Sequence, residues 1–86
     1  MLIYLFMTEG QIQNKRIKEL ESQGYYVIKL MKTNKNGIPD LLALKSDEPA
    51  FFVEVKTPKG RLSKLQDYRL SELDKLGFKT EIYNGH

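Results

Sequence analysis

Asp40, Glu54 and Lys56 are the residues of this chain whose types and spacing suggest chemistry. Asp40 follows a proline in "GIPDLLAL" (37–44), and Glu54 and Lys56 stand two apart in "FFVEVKTPKG" (51–60). So much Phe and Val reads as a buried strand, where carboxylates and ammonium groups are costly unless something pairs with them. Side chains alternate along a strand, so Phe52, Glu54 and Lys56 share one face while Phe51, Val53 and Val55 share the other. A tight hairpin between 44 and 51 pairs the start of the preceding strand with the end of this one. It brings Asp40 close to Glu54 and Lys56 at one end of the sheet.

Two carboxylates held together repel each other unless a cation sits between them. Hard divalent ions suit such a pair, and Mg²⁺ is commonly held by one or two carboxylates together with water and substrate phosphate. A neighbouring lysine can orient an attacking water or balance charge developing on phosphorus. That is the chemistry of phosphodiester hydrolysis. Lys35 before Asp40, and Lys59, Arg61 and Lys64 after Lys56, add positive charge suited to phosphate contacts.

The elements that must position these residues follow from periodicity and punctuation. Residues 7–24 read as a helix, with Thr8 and Gln11 as a capping box and Gly24 as the stop. Its inward stripe is Glu9, Ile12, Gln13, Arg16, Ile17 and Leu20, so helical spacing points Glu9 toward the sheet. Strands are expected over 25–32, 38–45 and 50–57, with "SDEP" as the hairpin loop between the last two. Pro39 is expected at the entry of its strand. A second helix opens with Ser63 and Gln66 as another capping box. Its stripe is Leu62, Leu65, Arg69, Leu73 and Leu76, and Gly77 closes it. A last strand spans 78–84. The order α-β-β-β-α-β gives an α/β fold. The middle strands pair antiparallel, and the last returns by a helical crossover to make the sheet mixed.

"GIPD" followed by "EVK", with "GRLSKLQ" beyond, resembles the PD-(D/E)XK nuclease superfamily, and within it the VRR-NUC family in its stand-alone, virus-type form. The resemblance runs from Met7 onward. It implies a restriction-endonuclease-like α-β-β-β-α-β core with a mixed four-stranded sheet. It implies that Asp40 and Glu54 are metal ligands with the Val55 carbonyl, that Lys56 is the catalytic lysine, and that Mg²⁺ or Mn²⁺ is the cofactor. Glu9 matches the family's first-helix glutamate, which makes it a direct or water-mediated metal ligand, and Gln66 matches its second-helix glutamine near the active site. Stand-alone members resemble Holliday-junction resolvases, which implies a homodimer acting on branched DNA.

Each fragment alone has a plain explanation. Acid-x-base on a strand is usually a solvated charge pair, and "GIPD" usually a turn. Glu9 suits a helix N-terminus electrostatically, Gln66 is accounted for by its capping box, and the lysines by solubility. What those explanations do not give is this order of acids, lysine and helix glutamate on this succession of elements. The alternative function is a non-catalytic nucleic-acid-binding module of the same fold.

The whole sequence sets the remaining bounds. Eighty-six residues are expected to form one domain over 1–86. No cysteine is present, so disulfides and thiolate metal sites are excluded. The one histidine, His86, excludes a histidine-rich metal site and argues against a Ser-His-Asp arrangement. The net charge of +3 is a mild pointer to a polyanionic partner. "MLIYLF" is too short to span a membrane and poor as a signal peptide, which leaves residues 1–6 as a tail, edge strand or dimer-contact segment. The expected location is the cytoplasm of a viral or bacterial host cell.

Overall fold

The computed structural model describes residues 6–85. The expectation for residues 1–6 therefore lies outside the described residues, apart from Phe6, whose side chain is exposed. His86 lies outside them too.

Helix α1 spans Glu9–Ser22 and helix α2 spans Lys64–Lys75. Both begin with the capping boxes read from the sequence. Thr8 Oγ1 accepts from the Gln11 backbone N–H while Gln11 Oε1 accepts from the Thr8 N–H. Ser63 and Gln66 repeat the pattern. Four strands, β1 (Tyr26–Lys29), β2 (Leu41–Lys45), β3 (Glu48–Val55) and β4 (Lys79–Tyr83), form one mixed sheet in chain order. The first two neighbouring pairs are antiparallel and β3–β4 is parallel, as a helical crossover requires.

The strands are trimmed relative to the sequence reading. β1 ends at Lys29 rather than at 32, and β2 starts at Leu41, after the Ile38-Pro39-Asp40 entry. The hairpin loop is not "SDEP". Lys45 and Glu48 pair around a two-residue turn, Ser46-Asp47, so Glu48 and Pro49 belong to β3. Asp47 takes φ 62°, a left-handed conformation that aspartate tolerates. The register shifts between Ala43 and Lys45, so Pro49 lies beside an irregularity, a place where a ladder donor is dispensable.

The core lies on one face of the sheet. Ile12 and Leu20 of α1 pack with Leu41, Ala43, Phe51, Val53, Val55 and Tyr83, all buried. Tyr25 meets Phe51 edge-on, at 5.4 Å between ring centroids. Polar contacts lock α1 to β4. Arg16 makes a two-pronged pair with Glu81, and Lys15 Nζ donates to Glu19 and to the Tyr83 hydroxyl. Arg16 and Ile17 of the expected α1 stripe are half-buried, but Glu9 is exposed, although Met7 and Ile12 on either side of it meet the core.

Helix α2 lies on the opposite face, and its expected stripe needs a larger correction. Leu70, not in that stripe, is its one buried residue, while Leu65 and Leu76 are exposed. Half-buried Leu62, Gln66, Arg69 and Leu73 complete the covered side. Arg69 does not pack as an apolar residue: its Nε donates to the Asn36 carbonyl at 2.8 Å and ties α2 to the β1–β2 loop. Leu65 meets the same loop at Gly37, where an added Cβ would stand 2.7 Å from Leu65 Cγ at a φ of 78°. Gly37→Ala therefore combines a clash with a left-handed alanine, and it is expected to cost roughly 1–3 kcal/mol. A lower urea midpoint at unchanged slope would verify this. Among the described residues, no helix is long and apolar enough to cross a membrane.

Candidate active site

β3 carries the site because alternation along it separates two roles. Phe51, Val53 and Val55 enter the core, while Glu54 faces α2. Glu54 is only 1% exposed, the one buried charged residue among those described. Asp40 comes to it from the entry of β2, which pairs Leu41 with Val53. The Asp40 carboxylate accepts from the Val55 backbone N–H at 2.7 Å, which fixes it against the backbone between Glu54 and Lys56. The Asp40 carbonyl accepts from Leu30 N–H at 2.8 Å, so the β1 edge closes on the same residue.

Lys56 lies just past the end of β3. Its backbone N–H donates to the Tyr83 carbonyl at 2.9 Å, and its ammonium lies 3.7 Å from Glu54 Oε2. From the other side, Gln66 Nε2 donates to the same Glu54 oxygen at 3.2 Å. The orientation of that amide is set by the helix cap. Gln66 Oε1 is engaged by the Ser63 N–H, so its NH₂ is the end presented to Glu54. Ser63→Ala is expected to cost roughly 1 kcal/mol of stability. Ser63→Thr, which keeps the cap, should restore most of it in a thermal melt.

Glu54 is held far from its ordinary protonation behaviour. Its carboxyl is pushed up from 4.5 to about 7, chiefly by burial, and the charge and carboxyl contact of Asp40 push the same way. Lys56 opposes them, and Glu9 adds a smaller upward push. Both acids and the lysine are thus gathered, with Gln66 in contact. Glu9 is near enough to be felt but is exposed, and no group of three metal-ligating side chains occurs among the described residues.

The donor set fits a hard divalent cation. A buried carboxylate raised by a second carboxylate is relieved when a cation joins them, and oxygen donors are what Mg²⁺ and Mn²⁺ prefer. Asp40 and Glu54 would supply the side-chain oxygens. Lys35, Lys59, Arg61 and Lys64 are all exposed. None of these four lies within ion-pair distance of a carboxylate among the described residues. The role of Arg69 in holding the loop was not legible in its spacing, which matches an apolar stripe.

The fold and the sequence agree on kinship. The family model described as "VRR-NUC domain" matches residues 7–86. A solved structure titled "VRR_NUC domain" superposes with a TM-score of 0.78 at 28% identity, covering 86% of this chain and 81% of that one. No curated protein matches. With Asp40, Glu54 and Lys56 gathered on a fold of that kind, the chain belongs to the VRR-NUC family, a family of nuclease-type domains.

Proposed function

We infer that this protein is a metal-dependent endonuclease that hydrolyses phosphodiester bonds in DNA, with branched DNA such as a Holliday junction as its substrate. The observation that carries the reading is the buried Glu54 held beside Asp40 with Lys56 at 3.7 Å. A structural role gives no reason to bury one carboxylate against a second, whereas a divalent cation and a phosphodiester make use of both.

Asp40 and Glu54, with the Val55 carbonyl, would hold Mg²⁺ or Mn²⁺, and Glu9 would serve it directly or through water. When bound, such an ion supplies Lewis-acid chemistry, neutralising phosphate charge and acidifying water. The chain's own residues do the rest. Lys56 orients the attacking water and offsets charge building on the phosphate oxygens. Gln66 fixes the Glu54 carboxylate. Lys35, Lys59, Arg61 and Lys64 engage flanking phosphates without reading sequence. The 3′ oxygen leaves, giving 5′-phosphate and 3′-hydroxyl ends.

A homodimer accompanies this reading. Tyr26, Ile28, Leu42 and Leu44 share the sheet face away from α1, and Tyr26 is 71% exposed. A second copy would cover this apolar patch and set two sites against two strands of a junction.

The test is cleavage of a labelled immobile four-way junction beside a matched linear duplex, with Mg²⁺, with Mn²⁺ and with EDTA, while light scattering reports the mass. Paired, metal-dependent nicks on the junction by a dimer support the reading. Binding without cutting in either metal would leave a non-catalytic DNA-binding module.

A further inference from the structure

The loop joining β1 to β2, residues 30–40, is tied down at several points and starts and ends at the site. Leu30 pairs with Asp40 at its base. Thr33 Oγ1 donates to the Lys35 carbonyl at 2.7 Å and accepts from the Lys35 N–H at 3.3 Å, closing a local turn. Arg69 holds the Asn36 carbonyl, and Gly37 packs on Leu65. The loop borders an open pocket of about 370 Å³, lined among others by Met31, Lys32, Lys35, Asn36 and Ile38. Met31 is 84% exposed at its rim. An apolar side chain left in water between lysines, on a loop fixed from both ends, is a feature the packing of the fold does not require.

We propose that this pocket takes one unpaired nucleotide of the DNA next to the scissile phosphate, its base against Met31 and Ile38 and its phosphate on Lys32 and Lys35. The inference rests on the nuclease reading above and goes beyond it by assigning a base pocket. Position supports it. Met31 is one strand step past the residue paired with Asp40, on the order of 6–7 Å between α carbons. The pocket adjoins the site through the Leu30–Asp40 pair without sharing its residues, so the occupant is a nucleotide near the bond that breaks. Chemistry supports it as well. The pocket is mostly polar, with Met31 and Ile38 as the apolar contacts a base face can cover and lysines for the backbone, the pairing by which unpaired nucleotides are held without sequence readout. Size agrees, since small-molecule sites begin at about 300 Å³. A paired base cannot enter, so the pocket favours DNA in which a base is already free, as at a branch or bulge.

The experiment uses the full chain with EDTA and a duplex carrying one unpaired 2-aminopurine nucleotide, against the same duplex with an abasic residue there. Affinity is read by anisotropy and unstacking by 2-aminopurine fluorescence. The wild type is expected to bind the base-bearing duplex about tenfold more tightly than the abasic one, with a rise in fluorescence. Met31→Ala should erase that advantage and the rise, while Met31→Leu restores both. Equal wild-type affinity for the two duplexes, or a Met31→Ala protein that keeps the full advantage, overturns the proposal. Cleavage of the same duplexes with Mn²⁺ is scored separately. Base-dependent binding without any cleavage removes the nuclease reading and leaves the pocket. Cleavage without base dependence removes the pocket and leaves the nuclease.

Discussion

Lys56→Ala is expected to reduce DNA cleavage by on the order of a thousandfold while leaving the fold and most of the DNA affinity in place. The fold should survive because the bond that anchors position 56, from its N–H to the Tyr83 carbonyl, belongs to the backbone. Affinity should survive because the phosphate contacts proposed above are spread over Lys35, Lys59, Arg61 and Lys64, each a small part of the whole. What disappears is the one ammonium 3.7 Å from Glu54. Lys56→Arg is expected to recover little, since a planar guanidinium does not stand in for a compact point charge. Single-turnover rates at saturating protein separate the chemical step from binding. A Lys56→Ala protein that cuts at the wild-type rate would remove Lys56 from the mechanism.

The second large effect concerns stability without metal. Glu54 carries a carboxyl raised from 4.5 to about 7 in the folded chain. A raised carboxyl holds its proton more tightly in the folded than in the unfolded state. It favours folding most at acidic pH, and this contribution is lost as pH rises from about 4.5 through about 7. With EDTA, unfolding free energy should therefore fall between pH 5 and pH 8, by at most about 3 kcal/mol. Glu54→Gln should flatten that dependence and be more stable than wild type at pH 8. Its amide still offers an oxygen to Gln66 and presents hydrogen-bond donors to Asp40 where wild type has a charge. Mn²⁺ should raise the wild-type midpoint at pH 8 and do little for Glu54→Gln. Urea midpoints at pH 5, 6.5 and 8 decide the matter, and parallel curves for the two proteins would mean that Glu54 is not strained.

Much of this arrangement was legible in the sequence because local rules and tertiary contacts agree. Both capping boxes are read from residue types three apart, and β3 displays its two faces by strict alternation. The element order followed from hydrophobic runs and from the glycines that end both helices. Where tertiary packing decides, the reading slipped. Leu62, Leu65, Leu73 and Leu76 have helical spacing, yet α2 covers only part of its face of the sheet, so Leu70 is buried and Leu76 is not. Leu65 serves to seat Gly37, a contact that periodicity cannot reveal. Pro49 looked like a loop residue because proline donates nothing to a ladder, but an irregular register asks for no donor there. Glu9 has the spacing of an inward residue, yet it is exposed while Ile12 in the same turn is buried. The clasp of Arg69 on Asn36 joins positions far apart in sequence, with no local signal.

The two-residue turn at Ser46-Asp47 and the irregularity beside it have a consequence for how this chain can vary. They set which side of β3 faces the helix α1. A slip of one residue would turn Glu54 and Lys56 into the core and push Val53 and Val55 out toward α2. Substitutions on the outer face of β3 can change the chemistry without touching the residues that hold the fold. Insertions and deletions in the hairpin cannot, because they act on both faces at once. Among diverging copies of this gene, the hairpin should therefore tolerate changes of letter far better than changes of length.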